Sequence, residues 1–151
     1  MFTPVLRKLI QRRHTQTIRL FSTALLPSDF LTAIASNLPH LHINNNKYDL
    51  DSHGKGEGYH PTAPPAAILT PTKTQDVSEI LQICNQHKVS VIAYGSGTSV
   101  EGHLSALDSK SISLDMKEFK RVGLPNDGML DDACIEVGAG VTRLELNDML
   151  R

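Results

Sequence analysis

One stretch limits the possible folds more than any other, because residues 66–99 run strand, helix, strand and glycine loop without interruption. Ala66-Ala67-Ile68-Leu69-Thr70 is an apolar run of strand length, preceded by Pro64-Pro65 and stopped by Pro71. Thr74 then opens a helix with Asp76 and Glu79 in its first turns, where carboxylates suit the positive end of the helix dipole. Val77, Ile80, Leu81 and Cys84 recur at helical spacing and mark the expected core face, and His87 and Lys88 place the favoured charge at the far end. Val89–Ala93 (VSVIA) is β-branched and reads as a buried strand that empties into Gly95-Ser96-Gly97-Thr98-Ser99. A βαβ opening of this kind predicts a small sheet flanked by helices, in an α+β domain.

The flanking segments add shorter elements. Ser28 is the expected cap of a helix whose apolar stripe is Phe30, Leu31, Ile34, Ala35 and Leu38, with Pro39 as its stop. From His40 to Pro65 the chain is polar and rich in Asn, Gly, His and Pro, which predicts an irregular connection. Residues 111–114 (SISL) read as another strand, and 134–140 (CIEVGAG) as one with Ile135 and Val137 inward and Glu136 outward. Thr142 and Glu145 have capping-box spacing, and Leu146, Met149 and Leu150 begin an apolar stripe.

Charge divides the chain unevenly. The first 28 residues hold five basic side chains (Arg7, Lys8, Arg12, Arg13 and Arg19) and no acid, leaving 10 basic against 16 acidic residues in the remainder. An acidic body repels a phosphate backbone, so nucleic acid is not the expected partner. Residues 2–10 place Phe2, Val5, Leu6, Leu9 and Ile10 on one helical face with basic and polar residues opposite. Residues 1–27 therefore read as a mitochondrial transit peptide, with a cleavage motif around Arg19-Leu20-Phe21-Ser22 and a cut after Phe21. A basic surface helix and an interfacial membrane helix also fit those residues. No apolar run has the roughly 18 residues of a membrane span. Cys84 and Cys134 stand too far from any second pair for a disulfide framework or a cysteine zinc site, and are expected as buried thiols. No metal site is expected, and His53 and His60 make only a weak pair for one.

The loop Tyr94–His103 (YGSGTSVEGH) carries the chemistry. A dinucleotide fingerprint needs a third glycine where Val100 stands, a hydrolase phosphate loop needs a Gly-Lys-Ser/Thr tripeptide, and neither Ser96 nor Ser99 has the glycines of a nucleophile elbow. Two readings survive. The glycines allow successive main-chain N–H groups to face one concavity, with Thr98 and Ser99 adding hydroxyls, which suits a diphosphate. A structural turn rich in Gly and Ser fits equally.

The run from Pro64 to His103, with GTSVEGH as its densest piece, resembles the opening of the FAD-binding domain of the PCMH (vanillyl-alcohol oxidase) type. The order of parts agrees through Leu114-Asp115-Met116, Val137-Gly138-Ala139-Gly140 and the LELNDML helix. The resemblance implies residues 28–60 as an amino-terminal helix and linker, and 61–151 as an incomplete domain of that type, its first subdomain. It implies that Gly95, Ser96, Gly97, Thr98 and Ser99 wrap the FAD pyrophosphate. Gly102 and His103 would lie near the flavin side, and Gly138 and Gly140 near adenine or ribose. Some relatives attach the flavin through a histidine where Thr98 stands, so noncovalent FAD is expected. Within the family the loop is most similar to mitochondrial, cytochrome-linked dehydrogenases of D-2-hydroxy acids, D-lactate foremost. That implies a small 2-hydroxy acid and cytochrome c as partners, with D-2-hydroxyglutarate or glycolate as alternative substrates. No residue of this chain is expected to be catalytic, because the family's substrate-binding groups belong to a later domain. A non-catalytic remnant, or a nucleotide module unrelated to flavin, are the other readings.

Overall fold

The structure is a computed structural model that describes residues 26–123 and 134–151; the transit-peptide reading lies outside them except at its last two positions. Helix α1 is Ser28–Asn37, strand β1 His42–Asn44, helix α2 Lys47–His53, strand β2 Ala67–Thr70 and helix α3 Thr74–His87. Strands β3 (Val91–Tyr94) and β4 (Ile112–Asp115) follow, then a short β5 (Val122–Gly123), β6 (Glu136–Val137) and helix α4 (Arg143–Met149).

Four strands form one sheet in the order β1-β2-β4-β3. β4 lies between β2 and β3 and is parallel to both, with Ile68 and Ile92 each opposite Ser113, while β1 runs antiparallel to β2. The α+β expectation and the βαβ opening are both present. The central position of β4 explains why all four of its residues are buried.

The sheet has two unlike faces. On one, α1 and α3 close an apolar core of Phe30, Ile34, Leu38, Ala67, Leu69, Ile80, Ile83, Cys84, Ile112 and Leu114. Alternation along β4 sends Ser113 and Asp115 to the other face, where α2 and the loop after β3 pack. A smaller apolar cluster there joins Ala63, Ile92, Leu104 and Ala106 with Tyr94 alongside.

Several local expectations are corrected. In α3 it is Ile83, not Leu81, that joins the core, and Leu81 is 45% exposed. The same rotation buries Asp76, whose carboxylate accepts from the Thr72 and Lys73 N–H groups (3.0 and 3.2 Å) and the Thr72 hydroxyl (3.0 Å), closing the helix start. In α1, Leu31 and Ala35 face outward, and Pro27, not Ser28, occupies the cap position. The segment expected to be irregular contains β1 and α2, the latter capped by the Asn46 side chain receiving the Tyr48 N–H at 2.9 Å. β3 starts at Val91 rather than Val89. Ile135 and Val137 are not inward, because among the described residues β6 pairs only with β5, outside the main sheet. Met149 and Leu150 are also exposed, and Cys134 is exposed where a buried thiol was expected. Burial does hold for Cys84, whose thiol it pushes up to about 11.

The Thr142–Glu145 capping box forms as expected, with the Glu145 carboxylate receiving the Thr142 N–H at 2.7 Å. Lys120 donates to the same carboxylate at 2.7 and 2.8 Å, and these contacts hold Glu145 down at about 2. No helix among the described residues is long and apolar enough to cross a membrane.

Candidate functional site

The glycine loop leaves the carboxyl end of β3, the end of a parallel sheet at which α/β folds place their ligands. The backbone turns at Gly97, φ 77°, and again at Gly102, φ 75°. Both are left-handed conformations that a side chain would strain. An added Cβ at Gly97 would also lie 2.6 Å from the Tyr94 hydroxyl, so the loop rests directly on that ring.

Tyr94 is fixed from below. Its ring stacks on His53 with centroids 3.7 Å apart, and His53 Nδ1 lies 2.9 Å from the Ser113 hydroxyl on β4. Burial lowers the His53 pKa and outweighs the opposing pull of Asp115, whose carboxylate is 3.9 Å from Nε2. The ring is therefore held toward its neutral form. α2, β4, β3 and the loop are joined through this one column of side chains.

The second wall is the irregular arm after α2. The Glu57 N–H donates to the Ser99 carbonyl at 2.9 Å. A Cβ at Gly56 would meet that carbonyl oxygen at 2.6 Å, and one at Gly58 would meet the Val100 oxygen at 2.3 Å, so bare backbone is required at both positions. Between arm and loop lies a cleft of about 430 Å³ lined by Ser52, Lys55, Gly56, Glu57, Gly58, Tyr94, Ser96 and Gly97. The arm's part in it was missed by sequence reasoning, although three glycines at alternate positions (Gly54, Gly56, Gly58) were its visible signal.

The expected site residues fall into two groups. Ser96 and Gly97 line the cleft, Gly95 has open space around it and Thr98 is exposed. Ser99 Oγ lies 3.3 Å from His103 Nδ1, and Gly102 packs beneath His60, whose Cγ would be 2.9 Å from a Cβ. Gly138 and Gly140 are elsewhere: their N–H groups donate to Arg121 and Phe119 carbonyls at 2.7 and 3.0 Å, and added Cβ atoms would collide with the Phe119 and Met116 oxygens. Their lack of a side chain serves the chain's own backbone packing.

Chemically, the cleft suits an anion. Among the described residues, no protein acceptor takes the main-chain N–H groups of residues 96–99, and the Ser99 carbonyl of the same loop is taken by the arm. No group of His, Cys, Asp and Glu among the described residues could hold a metal ion. A second cleft of about 340 Å³, lined by His40, His42, Thr70, Thr72, Lys117 and Glu118, lies beyond the end of β2; Thr70 Oγ1 is buried there without a hydrogen-bond partner among the described residues.

Comparison with known proteins places this geometry. A family model described as an FAD binding domain matches residues 65–151. The chain belongs to this family of FAD-binding domains, and FAD is the cofactor. It is 31% identical over 101 residues to a probable mitochondrial D-lactate dehydrogenase of Danio rerio, covering 67% of this chain and 20% of that protein. It is 34% identical over 125 residues to the mitochondrial D-lactate dehydrogenase [cytochrome] 1 of Saccharomyces cerevisiae, covering 80% and 21%. The chain thus spans about a fifth of the length of these relatives. Among solved structures it resembles p-cresol methylhydroxylase with substrate bound (TM-score 0.64, 19% identity, 83% of this chain and 25% of that one). It also resembles alkyldihydroxyacetonephosphate synthase (TM-score 0.65, 21% identity, 82% and 25%), and at such identities the likeness speaks for the fold alone.

Proposed function

We propose that this chain is the amino-terminal part of a mitochondrial FAD-dependent dehydrogenase of D-2-hydroxy acids, with D-lactate the substrate and cytochrome c the electron acceptor. The single observation that carries the reading is the amide-rich loop on the Tyr94–His53 column, built from the GSGTSVEGH segment in a chain whose relatives are named D-lactate dehydrogenases. Residues Gly95, Ser96, Gly97, Thr98 and Ser99 cup the pyrophosphate through main-chain N–H groups, and Gly102 and His103 hold the loop's return. Gly138 and Gly140 contribute indirectly, by letting their turn lie on the 116–121 backbone. Thr98 offers no nucleophilic ring nitrogen for a flavin bond, so the cofactor is noncovalent. When bound, FAD supplies two-electron acceptance from a hydroxy acid. This chain's residues bind and orient it; none of them is assigned to proton or hydride transfer. The names of the relatives and the basic, acid-free residues 1–28 support a mitochondrial location.

The test is genetic and biochemical. Deleting the encoding gene should remove D-lactate-driven cytochrome c reduction from mitochondrial extracts, while glycolate- and D-2-hydroxyglutarate-driven reduction is retained. Undiminished D-lactate activity would contradict the reading, and selective loss of another substrate's activity would reassign it.

A further inference from the structure

The match to the FAD-binding family begins at residue 65, yet five of the eight residues lining the cleft at the glycine loop lie within 52–58. That arm is not loosely draped over the loop. Gly54 has its own carbonyl bonded by the Ala63 N–H at 3.1 Å, Ala63 in turn receives the Ala106 N–H at 2.8 Å, and Glu57 reaches Ser99. The arm is stitched to both ends of the 95–106 segment. Gly56 and Gly58 let it approach to backbone contact, and of the arm's residues that line the cleft Lys55 and Glu57 are the charged ones.

Lys55 has no carboxylate within ion-pair distance among the described residues, although Glu57 is two positions away and the body of the chain is acidic. Its backbone N–H donates to the Ser52 carbonyl at 3.3 Å, which fixes the point beside the cleft from which its side chain extends. Lys55 shares the cleft with Ser96 and Gly97, whose main-chain N–H groups have no protein acceptor among the described residues, and a cation beside unbonded amides is complementary to a polyanion. A carboxylate in the same space can accept hydrogen bonds from hydroxyl groups beside it. A diphosphate flanked by polyols uses all three.

Resting on the FAD reading, we propose that the 52–58 arm is the second wall of the pyrophosphate site and that Lys55 is its charge-bearing anchor. The loop amides set the shape of the site, and Lys55 supplies the full positive charge that the loop lacks.

The experiment is a flavin-fluorescence titration of FAD into the full chain and its Lys55→Met and Lys55→Arg variants at several salt concentrations, with melting curves of each FAD-free protein. Lys55→Met should bind FAD about tenfold more weakly, as expected for loss of a hydrogen bond to a charged group. It should also show a flatter salt dependence and an unchanged FAD-free melting point, with Lys55→Arg close to the unaltered protein. Equal affinity in all three overturns the assignment to Lys55, as does equal weakening in both variants together with a lowered melting point. Failure of the unaltered chain to bind FAD saturably would instead overturn the FAD reading on which the inference rests.

Discussion

The two faces of the sheet are held by different physics. On the α1 and α3 face, the side chains of β2 and β4 that point that way are apolar, and burial of Phe30, Ile34, Leu69, Ile80 and Ile112 does the stabilising. On the opposite face β4 presents Ser113 and Asp115, and beside a small apolar cluster of Ala63, Ile92, Leu104 and Ala106 the contacts are a His53–Tyr94 stack, a hydrogen bond and glycine-to-backbone approaches. The first face is a core; the second is a mount for a loop. Because burial is non-directional and tolerant, whereas backbone packing that leaves no room for a Cβ is not, the first face should determine stability and the second should determine ligand affinity.

That contrast can be broken by substitution. Ile80→Ala removes a fully buried side chain from the apolar face and should destabilise the protein by about 2–5 kcal/mol in denaturant unfolding. Asp76→Ala leaves the Thr72 and Lys73 N–H groups without their acceptor and should lose about 2 kcal/mol. Burial by itself would raise the Asp76 pKa, but the bonds from Thr72, His40 and Lys73 outweigh it and hold the carboxyl below its ordinary range. Its contribution is therefore complete above the unfolded value near 4 and is lost as pH falls through the depressed folded value, so Asp76→Ala should flatten the acid limb of a stability–pH curve.

Gly58→Ala probes the mount. The new Cβ would lie 2.3 Å from the Val100 oxygen, so the arm must shift; about 1–3 kcal/mol of stability should go, with a larger fractional loss of FAD affinity than Ile80→Ala produces. An Ile80→Ala protein that stays folded but loses more affinity than Gly58→Ala would contradict the division of labour. Leu81→Ser, on the outward side of α3, should change stability by less than about 0.5 kcal/mol in the same unfolding assay.

Much of the apolar face was legible in the sequence because its cause is local. The helix over 74–87 and the strands around it follow from periodicity and from Pro71. The rotation of α3 was not, since Ile80, Leu81, Ile83 and Cys84 form an apolar patch too broad for spacing to orient. A buried capping carboxylate at Asp76 fixed the choice. β1 and α2 were missed for a different reason: HIN and KYDLDSH have no apolar period, and β1 exists through its pairing with β2. The glycine loop itself could be read from its spacing, while the arm that completes its cleft depends on contacts with Ser99 and Val100, far along the chain. At Gly138 and Gly140 the close approach that the structure shows is to the chain's own 116–121 segment, which lies too far back along the chain for local spacing to reveal.

The central claim is that a left-handed turn seated on Tyr94 shapes the cofactor site. Gly97→Val tests it, since the side chain would meet the Tyr94 hydroxyl and a φ of 77° that valine does not tolerate. Isothermal titration with FAD should give one saturable site per chain in the unaltered protein and none in Gly97→Val, with the circular dichroism of the two proteins superimposable. Equal binding by both, or by neither, would contradict the account.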